Sequence, residues 1–156
     1  MNAPTVRYYA QTTIFDNYSL YVNKLLAKYS SFFEILPASK LDGKFSPNDI
    51  SILMIREIDV HKQSQSSWFM KTTQNVRKNT KKKILIIVFS DTKDGDKRKT
   101  LYQQQIPNSC IVYFDFEDWF PINTDDYFNR HYKNLHLLDK TIADFMTLIL
   151  SDLYMY

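Results

Sequence analysis

Six consecutive apolar residues, Ile84-Leu85-Ile86-Ile87-Val88-Phe89, follow directly on Lys81-Lys82-Lys83. A strand that is apolar on both of its faces needs cover on both sides, as central strands of helix-covered sheets have. This run predicts the middle of an α/β sheet and argues against a half-solvated antiparallel one. The chain also holds only two glycines, Gly43 and Gly95. No glycine-rich loop can cradle a phosphate here, so P-loop and dinucleotide-binding folds are excluded.

Elements on either side extend the same pattern. Arg7 to Phe15 reads as a first strand, and Asp16 or Asn17 can cap a helix with Tyr18, Tyr21, Val22, Leu25, Leu26 and Tyr29 at helical spacing. Phe32 to Leu36 reads as a second strand, Pro37 to Asn48 as turn chemistry, and Ile50 to Val60 as a third strand. Ser64 to Ser67 cap a basic helix carrying Trp68, Thr72 and Val76 on one face. After the central strand come a charged loop, a short helix around Lys99 to Gln105, a turn at Pro107-Asn108 and a strand from Cys110 to Phe116. Pro121 to Asp125 supplies a loop and cap, and Leu135 to Tyr154 a long amphipathic helix. The expectation is one three-layer α/β/α domain over residues 1–156, with a mixed, mostly parallel sheet. The mixed character rests on the short link between the second and third strands, which suggests a hairpin-like pair.

A length of 156 residues suffices to bury most of the apolar surface in one domain. No segment approaches the roughly 18–20 apolar residues of a membrane span, and Met1 to Gln11 has neither the apolar run nor the cleavage site of a signal peptide. The single cysteine, Cys110, suits a reducing interior, cytosol or nucleus.

Charge is strongly polarised. Ten of the twenty Lys and Arg fall between Lys71 and Lys99 against three carboxylates, Asp91, Asp94 and Asp96. Residues 111–156 carry eight Asp and Glu against three Lys and Arg. Lys71, Arg77, Lys78, Lys81, Lys82 and Lys83 belong to the predicted basic helix and its exit. Lys93, Lys97, Arg98 and Lys99 belong to the loop after the following strand. These two groups lie at opposite ends of that strand, along an edge roughly 20–25 Å long. Such an edge tracks several phosphates of a duplex, at about 1.7 Å of axis per charge. Lysine-rich contacts of this kind position a nucleic acid without reading its bases. A solvated basic surface that aids solubility is the plainer alternative.

Catalysis finds less support. Glu57 and Asp59, Asp91, Asp115 and Glu117 end or follow strands, where an open α/β sheet places its ligands. A two-metal phosphodiesterase needs such carboxylates converging, commonly with a lysine two residues beyond one of them. Glu57-Ile58-Asp59 is followed by Val60, His61 and Lys62, so that spacing fails at this strand end. His131 and His136 are five apart, a poor spacing for one helical face, and no cysteine lies close to them. Cys110 reads as a small buried hydrophobe, and no serine sits in a glycine-lined nucleophile turn. The expectation is a protein without enzymatic activity, metal or cofactor.

The C-terminal segment repeats apolar residues at steps of three and four. Ile142, Phe145, Met146, Ile149, Leu150, Leu153 and Tyr154 are candidates for partner docking on a helix within residues 133–156. The same stripe equally suits a helix that covers the sheet.

The order of these pieces resembles the central nuclease-like domain of the XPF structure-specific endonuclease family. The resemblance runs over roughly residues 12–122, from Asn17-Tyr18-Ser19-Leu20-Tyr21-Val22-Asn23-Lys24-Leu25-Leu26 and Phe32-Phe33-Glu34-Ile35-Leu36-Pro37 to the strand Cys110–Glu117. It looks most like the family's non-catalytic partner subunits, the excision-repair partner and the short meiotic Spo-sixteen-type crossover protein. Active members carry Glu-Arg-Lys-x-x-x-Asp, whereas the matching strand here reads Ile55-Arg56-Glu57-Ile58-Asp59. The excision-repair partner ends in helix-hairpin-helix modules with glycine turns. No glycine follows Gly95, which favours the short meiotic type. The resemblance implies a nuclear pseudo-nuclease that pairs with a larger XPF-like chain. The pair would bind branched DNA uncut and stabilise meiotic recombination intermediates. An α/β interaction or scaffold module without nucleic-acid contact is the alternative.

Overall fold

The computed structural model describes residues 4–10, 16–40, 48–57, 82–90, 104, 108–115 and 124–154. Five strands lie within them: β1 (Thr5–Ala10), β2 (Glu34–Lys40), β3 (Ile50–Glu57), β4 (Ile84–Ser90) and β5 (Ser109–Asp115). Helix α1 (Asp16–Ala27) joins β1 to β2, and helix α2 (Thr124–Tyr154) follows β5. The strands form one sheet in the order β2-β1-β3-β4-β5. All four neighbouring pairs are parallel.

That order corrects the expected mixed sheet. β2 and β3 do not pair, because β1 lies between them. The short link was misleading because strand reach is large. Residues 41–49, which separate the two strands, can extend about 30 Å at 3.3–3.6 Å each. A seven-residue strand is only about 23 Å long, so nine residues suffice for a parallel return.

β4 stands second from the edge, between β3 and β5, and Ile84 through Val88 are all buried. Alternate residues divide between two faces. Val6 and Tyr8 of β1, Ile50, Ile52 and Met54 of β3, Leu85 and Ile87 of β4, and Phe114 of β5 form one cluster with the helices. From α1 it takes Tyr18, Val22, Leu25 and Leu26, and from α2 Leu138, Ile142, Phe145, Met146 and Ile149. Each such side chain contributes about 1.5–3 kcal/mol on burial. On the opposite face Leu53, Ile55, Ile86, Val88 and Ile111 are equally buried. The sheet is thus the middle of three layers, and the cover of this second face lies outside the described residues.

Local chemistry explains the boundaries. After α1, the Tyr29 carbonyl accepts from the Phe32 and Phe33 amides at 3.0 and 3.1 Å. This tight turn drops Phe33 into the core and leaves Phe32 exposed. β2 starts later than expected and runs through Pro37 to Lys40. Arg7 pairs with Leu36 but Tyr9 with Ser39, so β2 has one extra residue there. A proline that cannot donate to a ladder is tolerated at a bulge on an edge strand. Asn108 takes φ 58°, and its carbonyl accepts from the Ile84 amide at 3.2 Å. Asparagine is among the few non-glycine residues that adopt this left-handed geometry readily.

α2 begins at Thr124, ahead of the expected start at Leu135. Its 31 residues reach about 46 Å, at 1.5 Å per residue. The buried stretch Leu138–Ile149 spans only about 17 Å of that. Tyr21 Oη of α1 donates to Asp139 Oδ2 of α2 at 2.7 Å, tying the two helices together. Among the described residues no helix is long and apolar enough to cross a membrane.

Candidate nucleic-acid interface

Parallel pairing gives the sheet two chemically distinct edges. At the carboxyl edge, Glu57, Ser90 and Asp115 share one register row across β3, β4 and β5. The strand order reverses between β1 and β3, which in open α/β sheets is the usual ligand crevice. The segments that follow those two strands, with Asp59, lie outside the described residues, as do Asp91 and Glu117. Among the described residues, no group of three or more His, Cys, Asp or Glu is arranged to hold a metal ion.

The amino edge is where the basic sequence enters the sheet. Lys82 is exposed and Lys83 half-buried, immediately before Ile84 opens β4. Neither makes an ion pair with a described residue. Lys71, Arg77, Lys78 and Lys81, and Lys93, Lys97, Arg98 and Lys99, lie outside the described residues. β4 runs between the two groups in the chain, and its seven residues are about 23 Å long. Lys82 and Lys83 precede its amino end, while Lys93 to Lys99 follow its carboxyl end in the sequence.

Arg7 belongs to the same amino edge, although charge counting along the sequence passed over it. It pairs in register with Ser51, Ser51 with Ile84, and Ile84 with Ser109. Arg7 Nε lies 3.9 Å from Asp49 Oδ2, and its guanidinium carbon is 6.0 Å from the centroid of the Tyr9 ring. Among the described residues, the buried Arg7 Nε and the buried Ser51 Oγ have no hydrogen-bond partner. Only the strand order reveals this, because Arg7 and Ile84 lie 77 residues apart in the sequence.

 Arg7 reaches this edge on β1 and the lysines reach it on β4, with α1, β2 and β3 intervening in the chain.

The candidate docking residues on α2 divide between the chain's own core and the end of the helix. Ile142, Phe145, Met146 and Ile149 are buried in the chain's own core, and Leu150 is half-buried against it. These five positions help to cover the sheet. Leu153 and Tyr154 end the helix, and their side chains lie outside the described residues. The outer side of α2 is mostly polar or small, with Lys140, Ala143, Asp144, Thr147, Ser151 and Asp152 exposed beside one large apolar residue, Leu148.

No protein-family model matches the chain, and no curated protein matches it.

Proposed function

We propose that the chain is a non-catalytic subunit of a nuclear, XPF-like heterodimer that binds branched DNA and stabilises meiotic recombination intermediates. The observation that carries this reading is the basic amino edge of the sheet, where Lys82 stands exposed and Lys83 half-buried at the start of β4. They close a run of cations that continues in the sequence on both sides of that strand. The order of pieces over roughly residues 12–122 of the sequence, which resembles that family's nuclease-like domain, supports the same reading. Phosphate contacts by lysine supply affinity and position without base specificity, as suits a protein that holds a DNA shape. The strand Ile55-Arg56-Glu57-Ile58-Asp59 lacks the Glu-Arg-Lys-x-x-x-Asp motif of the family's active members, which supports a holding role over a cutting one.

Charge reversal at Lys81, Lys82 and Lys83 tests the reading. Affinity for a labelled four-way junction should fall, and the slope of log K against log salt should flatten by about one per lost phosphate contact. Variants that bind as tightly as the wild type remove the basic run from the interface. They would leave an α/β scaffold module without nucleic-acid contact.

A further inference from the structure

An arginine usually spends its five donors on acceptors, and buried polar groups are nearly always paired. Arg7 departs from this. Its side chain is only 34% exposed, and among the described residues its Nε has no hydrogen-bond partner and its ion-pair partner is Asp49, at 3.9 Å. Its register neighbour Ser51 is 1% exposed, and its hydroxyl is also unpartnered. Two adjacent strands thus bring unsatisfied polar atoms side by side at the amino edge. Ser51 pairs onward with Ile84, the residue directly after Lys82 and Lys83. Strands are about 4.8 Å apart, which puts Arg7 about 10 Å from the β4 backbone.

We propose that Arg7 is a phosphate-binding residue that extends the basic edge of β4 across β3 to β1. Asp49 and the Tyr9 ring lie beside the guanidinium, at 3.9 Å from Nε and 6.0 Å from its carbon. Nε contributes almost nothing to the exposed third of the side chain, so the terminal end of the guanidinium is what meets an oxyanion. Guanidinium and phosphate match in planar, two-pronged hydrogen bonding, which lysine cannot reproduce. Asp49 offsets part of the charge and sets how strongly the site attracts an anion.

The proposal rests on the DNA-binding reading, and the test separates the two. Fluorescence anisotropy of a labelled four-way junction is recorded against salt for the full chain and for Arg7→Gln, Arg7→Lys and Asp49→Asn. Arg7→Gln should weaken binding roughly three- to tenfold and lower the salt slope by about one. Arg7→Lys should keep the slope and lose part of the affinity. Asp49→Asn should tighten binding, a gain that misfolding does not mimic. If wild-type protein binds with a strong salt slope and Asp49→Asn and Arg7→Gln leave it unchanged, Arg7 is not a contact although the DNA reading stands. If wild-type protein shows no salt-dependent binding, both fall.

Discussion

Tyr21 shows how much one hydroxyl can carry. It joins α1 to α2 through Asp139. That hydrogen bond first, then burial and the carboxylate's charge, hold its pKa above the usual 10.0. The folded-state value is raised, so the stabilisation is fully present below pH 10 and lost as pH rises through the folded pKa. Tyr21→Phe should cost about 1 kcal/mol at neutral pH and remove this part of the alkaline loss. Urea unfolding between pH 7 and pH 11 measures both effects, and a variant with the wild-type pH profile would contradict the link. Buried Tyr8 is placed differently, with its hydroxyl 3.1 Å from both Ser19 Oγ and Met54 Sδ. At this scale the sequence was a partial guide. It marked Lys82 and Lys83 through their neighbours, but Arg7 has no basic neighbour in the chain and becomes part of the edge only through strand order.

The α2 stripe is the clearest case at the scale of elements. Its spacing identified a helix with one apolar side, and that is what forms. Periodicity reports that a face is buried, not what buries it, so core and docking surface read alike in the sequence. Burial of Phe145 and Met146 decides for the core. Phe145→Ala should therefore destabilise the isolated chain by about 3–5 kcal/mol, measured by urea unfolding. Exposed Leu148→Lys on the same helix should change stability by less than about 0.5 kcal/mol. Equal, small effects at both positions would contradict the core assignment. The strands were legible for a related reason. The double-faced apolar run of β4 admits little but a covered central position, while Pro37 concealed most of β2 because bulges leave no local signature.

For the molecule as a whole, strand order was the least legible property, since it depends on which strands neighbour one another and not on what each contains. That order also gives the account its geometry. It sends Arg7, Lys82 and Lys83 to one edge and the Glu57–Ser90–Asp115 row to the other. A fold alone assigns no activity, so the claim of a binding edge and a silent acidic edge has to be tested on DNA. The most direct measurement is one titration of the full chain against an end-labelled four-way junction in magnesium, resolved on native and denaturing gels. The account predicts a salt-sensitive shifted complex whose strands stay intact. Absence of a shift at low salt, or cleavage that Asp91→Ala abolishes, would contradict it.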